Sequence, residues 1–269
     1  MLTPSADAFA ALARSSPWRW STLRFTVRWP GDPWRTTAVR AWLRRPDALR
    51  VETLDGELLQ AGRESRSRVA LLSPEGGAVV EEPWTSDPGA PAPRWRADGL
   101  VAERPWGLSL DDPMYVNYFW VAMLDPSELA DPSRDAEPGE APLALGPVVE
   151  VEHGGRPAWE AVVRTTPAYE PRCGCCSLLR SREVDLAEYD GDAAHLLGTY
   201  PESHRLRLDV QTGVCVLTEA IGGEIQGRGH DLRIEAVGEP MADDLFAEPR
   251  RERLRRRGWS PYPARPGVQ

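Results

Sequence analysis

Apolar and polar residues alternate along several stretches of the chain, with the period of two that is typical of half-buried β-strands. The first stretch, residues 22–29, places Leu23, Phe25 and Val27 on one face and arginines on the other. Similar stretches follow at 39–44, 49–53, 149–151, 159–163, 206–210, 214–218 and 232–236, and a further hairpin is predicted over 69–80 around the sequence PEGG. Turn sequences such as PGDP and QTG separate them, so the pattern predicts an antiparallel sheet of roughly nine to eleven strands.

Two segments carry helical signals. At the N-terminus, Thr3 is predicted to cap a short helix with Pro4 in its first position. In the interior, a helix is predicted over residues 112–124, with Asp112 as the cap and Pro113 in the first position. That second helix is apolar nearly all round, so it must be covered on more than one side. Residues 182–197 are compatible with a short third helix.

Composition and charge narrow the class of protein. The chain of 269 residues is 41% hydrophobic with 26 Pro, 23 Gly and 11 Trp, as expected of a turn-rich globular protein. Its net charge of -9 argues against general nucleic-acid binding, which requires a basic surface. All 32 basic residues are arginines, so the arginine-rich face formed by Arg24, Arg28, Arg40 and Arg44 is interpreted as an ordinary solvated strand face.

The two ends of the chain differ in character. Residues 1–249 are predicted to form one domain, and residues 250–269 a basic, disordered tail capable of weak contact with an anionic surface. No apolar run reaches the ~18 residues of a membrane span. The N-terminus lacks a basic start and a long apolar run, so a cytoplasmic location is predicted.

The chain resembles the LolA-like superfamily, the lipoprotein-carrier and RseB-like half-barrels, as a cytoplasmic variant from a high-GC bacterium. The resemblance rests on the N-terminal helix and strand meander, on WLRRPDALRVE, on the hairpins HGGRPAWEA and RLRLDVQTGVCVL, and on the ending GEPMADDLFAEP. It implies a mainly β fold with some α-helix, in which a large antiparallel curved sheet forms an incomplete barrel. The interior helix would be a lid over the concave apolar face, which receives acyl chains in the carriers. Those carriers need an export signal, which is not seen here.

The resemblance also implies a binding site. Arg45, before Pro46, matches the arginine that bonds the lid in the carriers, although a solvent-facing turn residue is the alternative interpretation. The predicted ligand-binding residues lie on the strands, the turn and the lid: Phe25, Val27, Leu43, Arg45, Tyr115, Tyr118, Phe119 and Leu208. Their ligand would be a hydrophobic small molecule or a lipidated protein. The alternative is that the aromatic residues simply fill the core.

Three of the four cysteines lie in residues 171–179, PRCGCCSLL. Cys173 and Cys176 have CxxC spacing, and Gly174 would let the loop turn their sulfurs toward one centre. Cys175 and Cys215 could complete a zinc site if the loop folds against the QTG hairpin. A single spaced pair is a weak zinc signature, so inert thiols and a redox sensor remain alternatives.

No catalytic motif is present, and the four histidines are scattered along the chain. The sequence therefore predicts a non-enzymatic protein that binds an apolar or lipidated partner, with zinc as the one candidate cofactor. Two alternatives stay open: a regulatory module built on the cysteine cluster, and a structural interaction domain with a filled core.

Overall fold

A computed structural model of the chain describes residues 2–33, 35–64, 68–73, 76–81, 83–105 and 110–248, with only the backbone given over 68–81. The described strands, in chain order, are β1 (Thr22–Arg28), β2 (Val39–Arg44), β3 (Ala48–Thr53), β4 (Leu58–Arg63), β5 (Arg68–Ser73), β6 (Gly76–Glu81), β7 (Arg94–Trp95), β8 (Val101–Glu103), β9 (Leu143–Leu145), β10 (Val149–His153), β11 (Arg156–Thr165), β12 (Ser203–Asp209), β13 (Cys215–Ile221) and β14 (Gly229–Val237). The predicted tail, 250–269, lies outside the described residues.

Ten of these strands form one antiparallel sheet in the order β10-β11-β12-β13-β14-β1-β2-β3-β4, with β9 paired to β11. The sheet consists of two meanders, β1–β4 and β10–β14, joined where β1 pairs with β14 and Val27 lies opposite Leu232. The outer strands β4 and β10 do not pair with each other, so the sheet is an open, incomplete barrel. The predicted fold class is confirmed, and β5 and β6 form the predicted separate hairpin.

The alternation in the sequence separates two faces of the sheet, an inner face packed against helices and an outer face in solvent. On the outer face, Arg24 and Arg40 both pair with Glu235, at 3.3 and 3.2 Å, and Arg28 pairs with Asp231 at 2.6 Å. Acidic side chains of β14 thus balance these arginines of β1 and β2, as is common on a solvated strand face.

The first helix, α1 (Ala6–Arg19), begins two residues later than predicted from Pro4. Ser5, not Thr3, is its N-cap, because the Ser5 side chain is the one that accepts a hydrogen bond from the Ala8 N–H, at 3.1 Å. A third helix, α3 (Arg182–Tyr189), falls within the segment where a short helix was expected.

The interior helix, α2 (Tyr118–Leu124), is much shorter than predicted. Asn117 is its N-cap, and its side chain accepts from the Phe119 N–H at 3.2 Å. The prediction that the helix starts at Asp112 is wrong for two reasons: the Asp112 carboxylate is bound by an arginine, and Val116 has a φ of 68°, which interrupts a right-handed helix.

Both α1 and α2 lie on the inner face and share one hydrophobic core with the sheet. Phe9 and Leu12 of α1 are fully buried, and Trp120 of α2 packs on Phe25 with ring centroids 5.2 Å apart. The Ser16 hydroxyl of α1 donates to the Leu124 carbonyl of α2 at 2.5 Å, which joins the two helices. Across the described residues, no helix combines the length and the apolar character needed to cross a membrane.

Candidate functional site

The strand residues predicted to line a binding site are brought together on the inner face. Phe25, Val27, Leu43 and Leu208 are fully or almost fully buried in the single core beneath α1 and α2. Period-two alternation places each of them on the same side of its strand. In the structure, these two helices cover the inner face.

The three aromatic residues around α2 do not share one helix face, because the helix begins after Tyr115. Tyr115 is half-buried against Trp120, at 5.3 Å between ring centroids. Phe119 is buried, and the Arg35 guanidinium lies 4.5 Å from its ring centroid. Tyr118 is 40% exposed, so the structure places it at the surface rather than on the inner face.

Arg45 is buried and not a solvent-facing turn residue, which corrects that alternative. Its Nε and Nη2 atoms donate to the two Asp112 carboxylate oxygens at 2.6 and 2.7 Å. Its Nη1 donates to the Ser16 carbonyl at 2.7 Å, and its guanidinium lies over the Trp20 ring. One side chain therefore joins the turn between β2 and β3, the end of α1 and the segment that leads into α2.

A second buried carboxylate, Asp125, directly follows α2. Arg104 donates to both of its oxygens at 3.0 and 2.8 Å, and Arg172 donates to one of them at 2.8 Å. Burial by itself would raise the pKa of Asp125, but the two guanidiniums outweigh it and lower the pKa. Sequence reasoning missed this residue because it starts an acidic, proline-rich run; its position at the end of an apolar helix was the available signal.

Three tryptophans in the described core have indole N–H groups without a hydrogen-bond partner: Trp29, Trp120 and Trp159. A buried donor left without an acceptor costs about 1–3 kcal/mol, so such groups are uncommon. The core thus contains buried indole N–H donors that have no acceptor, and one of them, that of Trp120, belongs to α2.

The cysteine loop brings three sulfurs together. Those of Cys173, Cys175 and Cys176 all lie within 4.8 Å of one another, with 3.1 Å between Cys173 Sγ and Cys175 Sγ. The fourth predicted ligand, Cys215, is not part of this group: it is fully buried in β13, and its thiol donates to the Leu217 carbonyl.

The QTG hairpin, which was expected to bring Cys215 to the loop, packs against α1. A Cβ atom at Gly213 of this hairpin would lie 2.5 Å from the Leu12 carbonyl oxygen and 3.2 Å from the Ser16 nitrogen. The hairpin therefore has α1 as a neighbour, while the Cys215 thiol bonds the Leu217 carbonyl and stays outside the group of three sulfurs, so the four-cysteine arrangement is not formed.

Buried Glu128 holds both ends of the cysteine loop. Its carboxylate accepts from the Arg172 backbone N–H at 3.0 Å and from the Leu178 backbone N–H at 3.2 Å, and the Tyr169 hydroxyl donates to it at 2.6 Å. Burial raises the pKa of Glu128, although these hydrogen bonds act against the rise. Nothing in the local sequence distinguishes this glutamate from its acidic neighbours.

No family model matches the chain, and no curated protein matches it. Among solved structures, it is similar to a crystal structure of MucB, with 14% identity and a TM-score of 0.40, over 91% of this chain and 63% of that chain. It is also similar to the MucA/MucB complex of Pseudomonas aeruginosa, with 17% identity and a TM-score of 0.36, over 90% of this chain and 61% of that chain. The chain thus spans less than two thirds of either structure, and membership of the LolA-like superfamily stays a prediction.

Proposed function

We propose that the protein is a binding protein rather than an enzyme, and that the inner face of its sheet takes up an apolar chain, free or attached to a protein partner. One observation carries the proposal. The apolar inner face lies beneath a short helix that has a buried aspartate–arginine pair on each side, Asp112–Arg45 before α2 and Asp125–Arg104 after it.

Buried ion pairs suit a cover that has to move. Separating such a pair returns both charges to water, and their hydration offsets much of the attraction that is lost. Lifting an apolar side chain has no comparable gain, since it exposes apolar surface at about 25 cal/mol per Å². The pairs that flank α2 therefore hold the segment in one position while lowering the free-energy cost of releasing it.

The backbone before α2 is also strained in the closed position. Val116 has a φ of 68°, a left-handed conformation that β-branched residues rarely adopt, and its side chain is exposed. Strain of this kind costs on the order of 1–3 kcal/mol. Its relief on opening would favour release of the segment.

The unpaired indole N–H groups favour a ligand that carries a hydrogen-bond acceptor. Trp120 lies in the covering helix and Trp159 in β11 of the sheet, both in the shared core, and neither indole N–H has an acceptor within the described residues. A ligand with a carbonyl oxygen at the head of an apolar chain, such as a fatty acyl group in ester or amide linkage, would supply one. The proposed ligand is thus an acyl chain rather than a plain hydrocarbon.

Fluorescence titration with a dye-labelled palmitoylated peptide tests the proposal, with the same peptide lacking the palmitoyl group as the ligand control. We expect saturable binding of the acylated peptide alone. Asp112→Leu, which releases the segment before α2, should tighten binding by about tenfold or more, because a larger fraction of molecules is open. Glu103→Gln, which removes an exposed ion pair, is the matched control and should leave the affinity unchanged.

Far-UV circular dichroism shows whether each variant keeps its sheet. If folded wild-type protein and folded Asp112→Leu both fail to bind the acylated peptide, the inner face is only a filled core and the proposal is wrong. Equal binding of both peptides would likewise exclude recognition of the acyl chain.

A further inference from the structure

We propose that Cys173, Cys175 and Cys176 form a three-thiolate site for a soft metal ion, and that monovalent copper is the ion it selects. The site lies beside α2, because Cys176 packs against the shared core and Arg172 donates to Asp125, but the proposal does not require the binding of an acyl chain. It replaces the four-cysteine zinc site suggested by the spacing of the sequence.

The geometry of the three sulfurs agrees with a single bound ion. A metal–sulfur distance of about 2.3 Å places the sulfurs of one coordination shell about 3.8–4.0 Å apart. The sulfurs here lie within 4.8 Å of one another, and the closest pair is separated by 3.1 Å. Shifts of less than about 1 Å would bring all three to coordinating positions.

The loop is held in place by contacts that do not involve the thiols. Glu128 accepts backbone N–H groups from both of its ends, as described above. The Arg172 side chain, next to Cys173, donates to Asp125 at 2.8 Å and also pairs with Asp111. Much of the ordering entropy of a metal loop is therefore lost during folding and not on metal binding.

The number and type of ligands favour monovalent copper over zinc. Within the described residues, no fourth cysteine, histidine or carboxylate joins the three sulfurs. Structural zinc sites are almost always four-coordinate, whereas sets of thiolates alone also select monovalent copper. The nearby Glu188, which packs against Gly174, does not belong to the group.

The surroundings of the three cysteines affect how an ion reaches the site and how the charge of the thiolates is compensated. Cys175 is exposed, so an ion can reach the site from solvent. Arg35 lies close enough to Cys176 for its positive charge to act on a thiolate there, against the burial that disfavours one.

Anaerobic titration with monovalent copper against the competing chelator bicinchoninate tests the proposal, with zinc titrated in parallel. We expect one copper per chain, with sulfur-to-copper absorption in the near ultraviolet. Cys173→Ser, Cys175→Ser and Cys176→Ser should each weaken binding by about tenfold or more, whereas Cys215→Ser, which alters the buried thiol, should leave it unchanged. Glu128→Gln should weaken binding by about 10–100-fold without removing a ligand.

The serine variants keep the test decisive even if Glu128→Gln does not fold, because Cys175 is exposed and Cys173 and Cys176 are only half-buried. Copper affinity that is unchanged in a triple-serine variant, or no copper held against the chelator, would overturn the site. Tighter retention of zinc than of copper would overturn the choice of ion. A Cys173–Cys175 disulfide formed on mild oxidation, in protein that retains no copper, would assign the cluster to redox chemistry instead.

Discussion

Removal of either charge from the buried Arg45–Asp112 pair should destabilise the fold strongly. The two side chains are 1% and 0% exposed, so in the closed arrangement Asp112→Leu leaves a guanidinium buried without its counter-ion, at a cost of about 3–5 kcal/mol, and this cost is what would favour release of the segment before α2. Arg45→Met leaves the carboxylate unpaired and also removes the donor to the Ser16 carbonyl, which adds about 1–3 kcal/mol. Either loss is a large part of the 5–15 kcal/mol typical of a folded protein.

The double variant distinguishes the cost of an uncompensated buried charge from the cost of the contacts that are lost. With both charges removed, no uncompensated charge is buried, and the remaining cost is the lost donor to the Ser16 carbonyl, about 1–3 kcal/mol. Arg45→Met/Asp112→Leu should therefore be more stable than either single variant.

Urea unfolding followed by tryptophan fluorescence measures all four corners of this cycle. The control is Glu103→Gln, because the Arg94–Glu103 pair is 3.0 Å long but 70% and 66% exposed. Its removal should cost less than about 1 kcal/mol. Additive effects of the two core substitutions, or a cost of Asp112→Leu no larger than that of the control, would refute the argument.

Two further predictions concern stability. Burial lowers the pKa of His204 and of His230 to about 4, so the unfolded chain, with histidine pKa values near 6.5, binds more protons between these values. Each histidine should therefore reduce the unfolding free energy as the pH falls from about 6.5 toward 4. Urea unfolding at about pH 7.5 and pH 5 should show that the unfolding free energy of His204→Leu falls by about 2 kcal/mol less than that of wild type. Gly213→Ala should lower the thermal midpoint much more than Gly99→Ala, because both glycines have positive φ but only a Cβ at Gly213 meets backbone, the Leu12 carbonyl at 2.5 Å.

Each of these two predictions has a result that would contradict it. If His204→Leu follows the same pH dependence as wild type, the buried imidazole is not titrating as described. If Gly213→Ala and Gly99→Ala lower the midpoint equally, backbone strain alone explains both losses, and the close packing of α1 on the hairpin contributes nothing.

Strands with a clear apolar–polar alternation could be predicted from sequence because each carries its own evidence, whereas β4, β7, β8 and β9 were not predicted. Leu23, Phe25 and Val27 face one side whatever the rest of the chain does, and the outer arginines mark the other side. The bounds of α2 could not be predicted this way. Asp112 followed by Pro113 is a good local start for a helix, but a buried arginine 67 residues away in the chain binds that carboxylate first. A long-range ion pair overrode a local capping signal.

Dependence on long-range contacts also explains which residues of the candidate sites could be predicted from sequence and which could not. The spacing of Cys173 and Cys176 predicted that their sulfurs lie close together, and they do, since neighbours in sequence remain neighbours in space. The place of Cys215 depended on long-range packing, which buries it in β13 outside the group of three sulfurs, and not on any local pattern. Glu128 and Asp125 resemble ordinary acidic loop residues until the fold buries them.

The pairing of β1 with β14 cannot form until nearly the whole chain has been synthesised. Phe25 and Val27 leave the ribosome early, whereas their partners Ile234 and Leu232 follow about two hundred residues later, which is roughly 10–40 s at common rates of translation. During that interval one edge of β1 has no partner and the inner face lacks half of its sheet. A nascent chain of this topology has an unpaired apolar edge to protect, and chaperones that bind such edges would be needed most until β14 has emerged.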